Sequence, residues 1–591
     1  MKTASTSLLR SGYGRLALLS IAIMLFAGVG CDALGCGGGD VPGSAAERVE
    51  DMASNLPQDT PFTLVVGDLK GMRNSLQTAR DTLGDSVPMA DLVQEQAKNE
   101  LGIDLFDAES WKKSGIDADS GMMLAAVGQH PVLVTYVADQ QKFEKAFADQ
   151  LKKSMGIEGM VKNEKSGDQQ VKVLGKDDQT VTWAYEGKLV AAVFPKSADL
   201  EEVSSSLEFK DTKELAAKLV GLEDAKALAS VDAYKKFNKA LATDQSMALF
   251  VNTGEALDDK RVEELKKTQD PIGKATISWI DENVDSLGFS MHVEGNKLKV
   301  RSWAGLPDKV VKRATEIMTP PTQAPIENFA TVNTMAGLRT SVDMPKLWAF
   351  YKESLPEDQR KQMMAQLERS AKQANLDFEK DVINKMTGNL GVIFYGFDPA
   401  MLEQAGGDVA RAAMMGPTKA LAFLVPVQFK DKASLEKIVK TVLDQGGGAI
   451  TRTKVSDGIE KLAFKNVAQP YGKVYLQDNL LVYATDAFND DAVVKYIQGK
   501  RDEKNLKAAD KLDLGKEFAT NDKYNGLYLN FVRAQKQLGD SLAQSQPQVV
   551  EFLNKMEEAA LTSEVGETGA YLDLTIDLTP QAKKADKAKK E

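Results

Sequence analysis

The sequence predicts an α+β protein made of two tandem related domains, each a mainly antiparallel sheet covered by helices. Three observations lead there. Short apolar runs, several with period-2 alternation, follow one another across tight turns, which suits antiparallel hairpins. Helical patterns stand between some of these runs, where they can cover one sheet face. The whole arrangement is also written twice along the 591 residues.

The strand candidates of the first copy are TLVVGDL (63–69), MMLAAVG (122–128), PVLVTYVA (131–138), VKVL (171–174), TVTWAYEG (180–187), KLVAAVFP (188–195), SMALFVN (246–252), LGFSMHVEG (287–295) and KLKVRSWAG (297–305). The glycine-bearing links EGK (186–188) and EGNK (294–297) read as hairpin turns. FEKAFADQLKKSMG (143–156) and VEELKKTQ (262–269) carry the helical spacing.

The second copy follows from self-similarity. ALFVN (248–252) recurs as GLYLN (526–530), an offset of 278. EGKLVAAVF (186–194) recurs as QDNLLVYAT (477–485), and VADQQKFEKAF (137–147) as FKDKASLEKIV (429–439), offsets of 291 and 292. MMLAAVG recurs near GVIFYGF (391–397), an offset near 268, so an insertion is expected at DPAMLEQAGGDVARAAMMGPTK (398–419). A period this long excludes a solenoid, whose repeats run about 20–50 residues. MTPPTQAP (318–325), with three prolines, marks the boundary. The expected organisation is a signal segment 1–30, a tether with a short helix 31–54, repeat domains 55–318 and 326–578 joined by the linker 319–325, and a lysine-rich tail 579–591.

The chain is 43% hydrophobic and 27% charged, an ordinary composition for packed cores. Its formal charge is −11, and removing residues 1–30, with Lys2, Arg10 and Arg15 and no acids, leaves −14. A surface of that sign repels nucleic acid, so no nucleic-acid partner is expected. With only His130 and His292 in the chain, little material exists for a histidine metal site or a histidine-activated nucleophile.

At the N-terminus a cationic stretch precedes the apolar run Leu16 to Val29, which has the length and flanks of a secretory signal and is short for a spanning helix of about 20 residues. No transmembrane helix is expected in the mature chain. LFAGVGCDALGC (25–36) follows, holding both cysteines, Cys31 and Cys36. This stretch resembles the lipobox of bacterial lipoproteins, with Gly28 where that family favours leucine. The resemblance implies lipid attachment at Cys31, with Cys36 as the second candidate, and a protein held at a membrane of the cell envelope. Asp32, after Cys31, resembles an inner-membrane retention signal of enteric bacteria. A Cys31–Cys36 disulfide is the alternative use of the pair, and it would stabilise little because its loop is so short. GCGGGDVPGS (35–44) reads as a flexible tether. The first copy opens with NLPQDTPF (55–62), and this, with the signal and the doubled body, resembles a bacterial family of exported domains of unknown function beginning L-P-x-D-T. The second copy has APIENFATV (324–332) at the corresponding place, and the family brings no catalytic residues.

The search for chemistry returns nothing that compels an enzyme: no phosphate-cradling glycine loop, no HExxH and no GxSxG occur. Ser110 and Lys113 in SWKK fit an exposed helical turn. The adjacent pairs Asp258–Asp259 and Asp490–Asp491 diverge on any regular backbone. Trp183 and Tyr185 share one strand face and offer either an aromatic platform for a glycan or peptide, or packing under a helix. Met401, Leu402, Met414 and Met415 in the insertion offer either an adaptable apolar loop or a folded-back helical hairpin. The five lysines of the tail offer either a solvated, disordered end or a contact with anionic headgroups. The expectation is therefore a lipid-anchored, non-enzymatic envelope protein that binds or scaffolds another envelope protein or glycan. It has no cofactor, no metal site and no catalytic residue. An envelope hydrolase with a site dispersed in sequence, or an assembly factor using the insertion, are the alternatives.

Overall fold

The computed structural model describes residues 43–579, apart from 75–76, 78–103, 105–106, 118, 198–205, 242–246, 257–261, 264–265, 268–270, 319–324, 356, 374, 407, 466–471, 502, 522–524, 546–549 and 551–552. It is α+β, with antiparallel sheets covered by helices. The chain forms two compact units. The first runs through Val311 and adds Gly566–Asp573, and the second takes Lys312–Val565 and Leu574–Thr579.

The strands of the first unit are β1 (Phe62–Val66), β2 (Met122–Val127), β3 (His130–Tyr136), β4 (Lys162–Ser166), β5 (Gln169–Leu174), β6 (Val181–Glu186), β7 (Leu189–Val193), β8 (Met247–Asn252), β9 (Ser286–Glu294) and β10 (Lys297–Gly305). They pair antiparallel in the order β10-β9-β8-β1-β2-β3-β7-β6-β5-β4. The expected turns close β6–β7 at Gly187 (φ 58) and β9–β10 at Gly295 (φ 60), left-handed positions where glycine carries no Cβ penalty. β4 (KNEKS) has no apolar alternation because it is an exposed edge strand. Helices α1 (Ala45–Ala53), α3 (Thr212–Leu219) and α4 (Asp232–Leu241) close a core on one sheet face around Val49, Met52, Leu215, Phe237 and Trp303. On the other face, α2 (Gln140–Met155) lays Phe147 edge-on against Trp183, ring centroids 5.4 Å apart.

The second unit has β11 (Ala336–Ser341), β12 (Met386–Phe397), β13 (Leu421–Phe429), β14 (Ile450–Ser456), β15 (Ile459–Phe464), β16 (Lys473–Gln477), β17 (Leu480–Ala484), β18 (Gly526–Asn530), β19 (Met556–Gly566) and β20 (Gly569–Leu578), the last divided between the units. Their order is β20-β19-β18-β11-β12-β13-β17-β16-β15-β14, the order of the first unit with each number raised by ten. The registers agree as well. Thr63 faces Ala125 and Phe250, whereas Gly337 faces Ile393 and Tyr528; Val132 faces Val193, whereas Leu424 faces Ala484. The resulting offsets are 268 for Ala125–Ile393, 292 for Val132–Leu424, 291 for Val193–Ala484 and 278 for Phe250–Tyr528, the values the sequence pairs carry. A one-residue slip would turn every side chain to the wrong face, so matching register is a strong mark of duplication.

Local signals are duplicated too. Asp139 caps α2 by accepting from Lys142 N–H at 3.0 Å, and Asp431 caps α9 (Lys432–Gln445) by accepting from Ser434 N–H at 2.7 Å. The L-P-x-D-T opening also has a structural counterpart, which lies at 330–334 rather than at 324–332, although the second copy's sequence does depart from the motif. Leu228 N–H donates to the Leu56 carbonyl at 2.7 Å and Leu506 N–H to the Ala330 carbonyl at 3.1 Å. Thr60 N–H bonds the Pro57 carbonyl and Thr334 N–H the Thr331 carbonyl, closing one turn in each unit. Leu56–Thr60 (LPQDT) therefore matches Ala330–Thr334 (ATVNT). The device is a backbone turn, and proline is dispensable to it.

The remaining helices of the second unit used below are α5 (Met344–Ser354), α6 (Glu357–Gln373), α7 (Pro399–Gln404), α8 (Val409–Met415), α10 (Asp490–Ile497), α11 (Asp513–Thr520) and α12 (Phe531–Ser545). Its core gathers Ile393, Leu424, Val482, Phe518 and Tyr528 under α10 and α11. Among the described residues no helix is long and apolar enough to cross a membrane.

Candidate functional site

The two units differ most on the sheet face opposite these cores. In the second unit, direct cross-strand partners form an apolar row from Leu527 of β18 through Leu338 and Val392 to Val425 and Tyr483. None of the row is buried, and Leu338 at its centre is 49% exposed. Its register equivalent in the first unit, Leu64, is 5% exposed. The equivalents of Val425 and Tyr483 are Leu133 and Ala192, both buried. Leu124 and Leu249, the equivalents of Val392 and Leu527, are half-buried as those two are, so the copies differ on this face at Leu338, Val425 and Tyr483. Leaving aliphatic surface in water forgoes about 25 cal/mol per Å² of possible burial, so exposed Leu338 with its half-buried neighbours is a candidate contact surface.

Helices border the row. α9 packs on β13 and β17 to one side, α5 meets β12 near its start, and α12 meets β12 near its end. Gln537 of α12 fixes the last contact, with Nε2 donating to the Phe397 carbonyl at 2.6 Å and Oε1 accepting from Phe397 N–H at 3.2 Å. On the same helix Arg533 and Lys536 have no carboxylate partner among the described residues, and the buried Nε of Arg533 has no acceptor. Elsewhere in the unit Arg452 bridges Glu436 and Glu460, and Lys461 bonds Asp490 at 2.5 Å.

On the core face of the second unit lies a group that sequence reasoning missed. Glu558 of β19 is fully buried, and accepts hydrogen bonds from Tyr528 Oη at 2.8 Å, Gly515 N–H at 3.0 Å and Leu514 N–H at 3.1 Å. The two amides open α11, so the carboxylate sits at the positive end of a helix. Burial pushes its pKa up to about 7, with Asp577 adding to the rise, while Tyr528 and the two amides oppose it. By register the first unit carries Ser286 at this place and Phe250 at that of Tyr528. Nothing in MEEAAL marks Glu558 beforehand, because its burial depends on β18 and α11.

The residues singled out by sequence fall as follows. Cys31, Cys36, Asp258–Asp259 and all of the lysine-rich tail after Thr579 lie outside the described residues. His130 places Nδ1 2.8 Å from the Phe194 carbonyl, and burial holds its pKa below the ordinary value. His292 is half-buried in β9, with its pKa lowered by burial first and then by Lys299. Ser110, half-buried on a helical turn beside buried Trp111, accepts from Asp104 N–H at 2.9 Å, whereas Lys113 is exposed. Asp490 accepts from Tyr475 Oη at 2.7 Å, whereas Asp491 pairs with Lys495, so the adjacent carboxylates do diverge. Trp183 is fully buried, which removes the aromatic platform in favour of packing under α2. The insertion folds as α7, α8 and a turn at Pro417–Ala420 around buried Ala405, Ala412 and Ala420, leaving Met414 82% exposed. Among the described residues no group of three or more His, Cys, Asp or Glu could hold a metal ion.

No protein-family model and no curated protein matches the chain. Among solved structures, a chain of crystal form IV of TP0453 is similar at 11% identity, covering 44% of this chain and 84% of that one with a TM-score of 0.22, a likeness too low to carry an argument.

Proposed function

We propose that this is a lipid-anchored, non-enzymatic protein of the bacterial cell envelope that binds an apolar partner through the second unit. The observation carrying the binding role is the open row centred on Leu338, set against the closed equivalent at Leu64. Duplication explains the asymmetry: one copy keeps the fold well packed while the other is free to leave a face uncovered. The anchor is read from the stretch ending at Cys31, where two or three acyl chains would give durable attachment at about 0.8 kcal/mol per buried CH₂.

Metabolic labelling with a fatty-acid probe tests the anchor. Label is expected in the wild type and in Cys36→Ala and absent in Cys31→Ala; label persisting in Cys31→Ala refutes the assignment. The binding role is tested with 1-anilinonaphthalene-8-sulfonate, whose fluorescence should rise on the full chain and fall several-fold in Leu338→Glu.

A further inference from the structure

We infer that the cleft between α1 and α4 of the first unit binds a phosphoethanolamine group, with its ammonium at Glu50 and its phosphate at Lys235, Lys239 and the Tyr234 hydroxyl. This site is separate from the apolar row of the second unit. The cleft holds about 350 Å³. Ala46 and Glu50, one turn apart on α1, line one side, and Lys235 and Lys239, one turn apart on α4, line the other. Tyr234 lines it from the core side. It is 1% exposed, and its ring packs on Phe237 and Phe250 with centroids 5.4 and 5.2 Å away.

The Tyr234 hydroxyl is what asks for a ligand. Its Oη is buried and has no hydrogen-bond partner among the described residues. Burial first, and then the Glu50 carboxylate, raise its pKa, so the hydroxyl lies within electrostatic reach of an acid on the cleft wall. The fold itself does without this side chain in the other copy. Phe237 packs on Phe250 as Phe518 packs on Tyr528, at 5.1 and 5.4 Å, which aligns α4 with α11 and puts Gly515 at the place of Tyr234. Phenylalanine would keep the ring contacts, whereas a buried hydroxyl left unmet costs stability. A ligand oxygen in the cleft meets it.

Charge names the ligand. Among the described residues Glu50 makes no ion pair with either lysine across the cleft, so an acidic wall faces a basic one, as a zwitterion requires. Lys235, Lys239 and Tyr234 offer more donors than the two oxygens of a carboxylate accept well, and a phosphate has at least three. Lys239 also pairs with Glu567 at 3.0 Å, an exposed contact that is worth little and exchanges readily. Thirteen residues separate Cys31 from Ser44, the cap of α1, a reach of at most about 45 Å. A phospholipid headgroup at the anchoring membrane is therefore one source of the group, and a soluble phosphoethanolamine the other.

The test is isothermal titration calorimetry of the full chain, in its Cys31→Ala form, with O-phosphoethanolamine and with glycerol 3-phosphate, which lacks the ammonium. Saturable binding of phosphoethanolamine is expected, at least fivefold tighter than that of glycerol 3-phosphate. Glu50→Gln should remove that preference, and Lys235→Gln should weaken both ligands at least fivefold. Tyr234→Phe should weaken both at least threefold while leaving the melting temperature of the free protein unchanged or higher. The inference is overturned by absent or non-saturable binding, by no preference for phosphoethanolamine, or by affinities that Glu50→Gln and Lys235→Gln leave unmoved. A melting temperature lowered by Tyr234→Phe also overturns it, because the hydroxyl is then met within the protein. Flotation separates the sources: recovery with phosphatidylethanolamine vesicles and not with phosphatidylcholine vesicles assigns the headgroup, and calorimetric binding without flotation assigns the soluble compound. None of these readouts uses the acyl anchor or Leu338, so this site and the proposed function fail separately.

Discussion

Replacing Glu558 with glutamine isolates the cost of a buried charge. The carboxyl titrates near 4.5 when unfolded and at about 7 in the folded protein, with burial the leading cause. A raised acid contributes its full share of stability below its unfolded pKa and loses it as pH climbs through the folded value. The gap of roughly 2.5 units, at 1.36 kcal/mol each, amounts to about 3 kcal/mol lost by the wild type between pH 4.5 and pH 7. Glu558→Gln stays neutral throughout, keeping an acceptor oxygen for the α11 amides while losing the second carboxylate oxygen. Calorimetry of the second-unit transition, in both proteins from pH 4.5 to 8, gives the difference free of every other titrating group. The wild type should fall relative to the variant by about 1 kcal/mol per pH unit over that window, and the variant should be the more stable at pH 8. A difference that stays flat with pH, or that grows in favour of the wild type as pH rises, would refute the reasoning.

Three further outcomes follow from the paired construction. Asp139→Ala and Asp431→Ala each remove an equivalent cap and should each lower the midpoint temperature, of the first-unit and second-unit calorimetric transitions respectively. Phe237→Ala empties a fully buried site beside Phe250 and should cost about 3–5 kcal/mol in urea denaturation, whereas Met414→Ser, at an exposed position, should stay within about 0.5 kcal/mol. Gly388 sits at φ +83 with its Cα facing the Val342 carbonyl, so Gly388→Ala should cost about 2–3 kcal/mol in the second transition while leaving the first unchanged.

Much of the fold was legible because it rests on short-range signals. Alternation in TVTWAYEG and the glycine turns at 187 and 295 specify hairpins locally, and the jump in offset located the α7–α8 insertion without any contact being known. β4 escaped because an edge strand exposed to water needs no apolar alternation. The match of LPQDT to ATVNT escaped because a turn closed by backbone groups constrains side chains weakly. Trp183 and Tyr185 were correctly placed on one strand face, but whether a helix covers that face depends on α2, which lies elsewhere in the chain.

The candidate site was the least legible part. Leu338 and Leu64 are the same residue type in the same kind of strand, and no local pattern separates an open leucine from a closed one. By itself the sequence determined the α+β class, the duplication and the stretch around Cys31, since periodicity, repeat offset and a short motif are written along one dimension. Only the tertiary structure decided which of two equivalent leucines stays exposed and which glutamate is buried. Each of those depends on what residues distant in the chain bring, or fail to bring, to the same point in space.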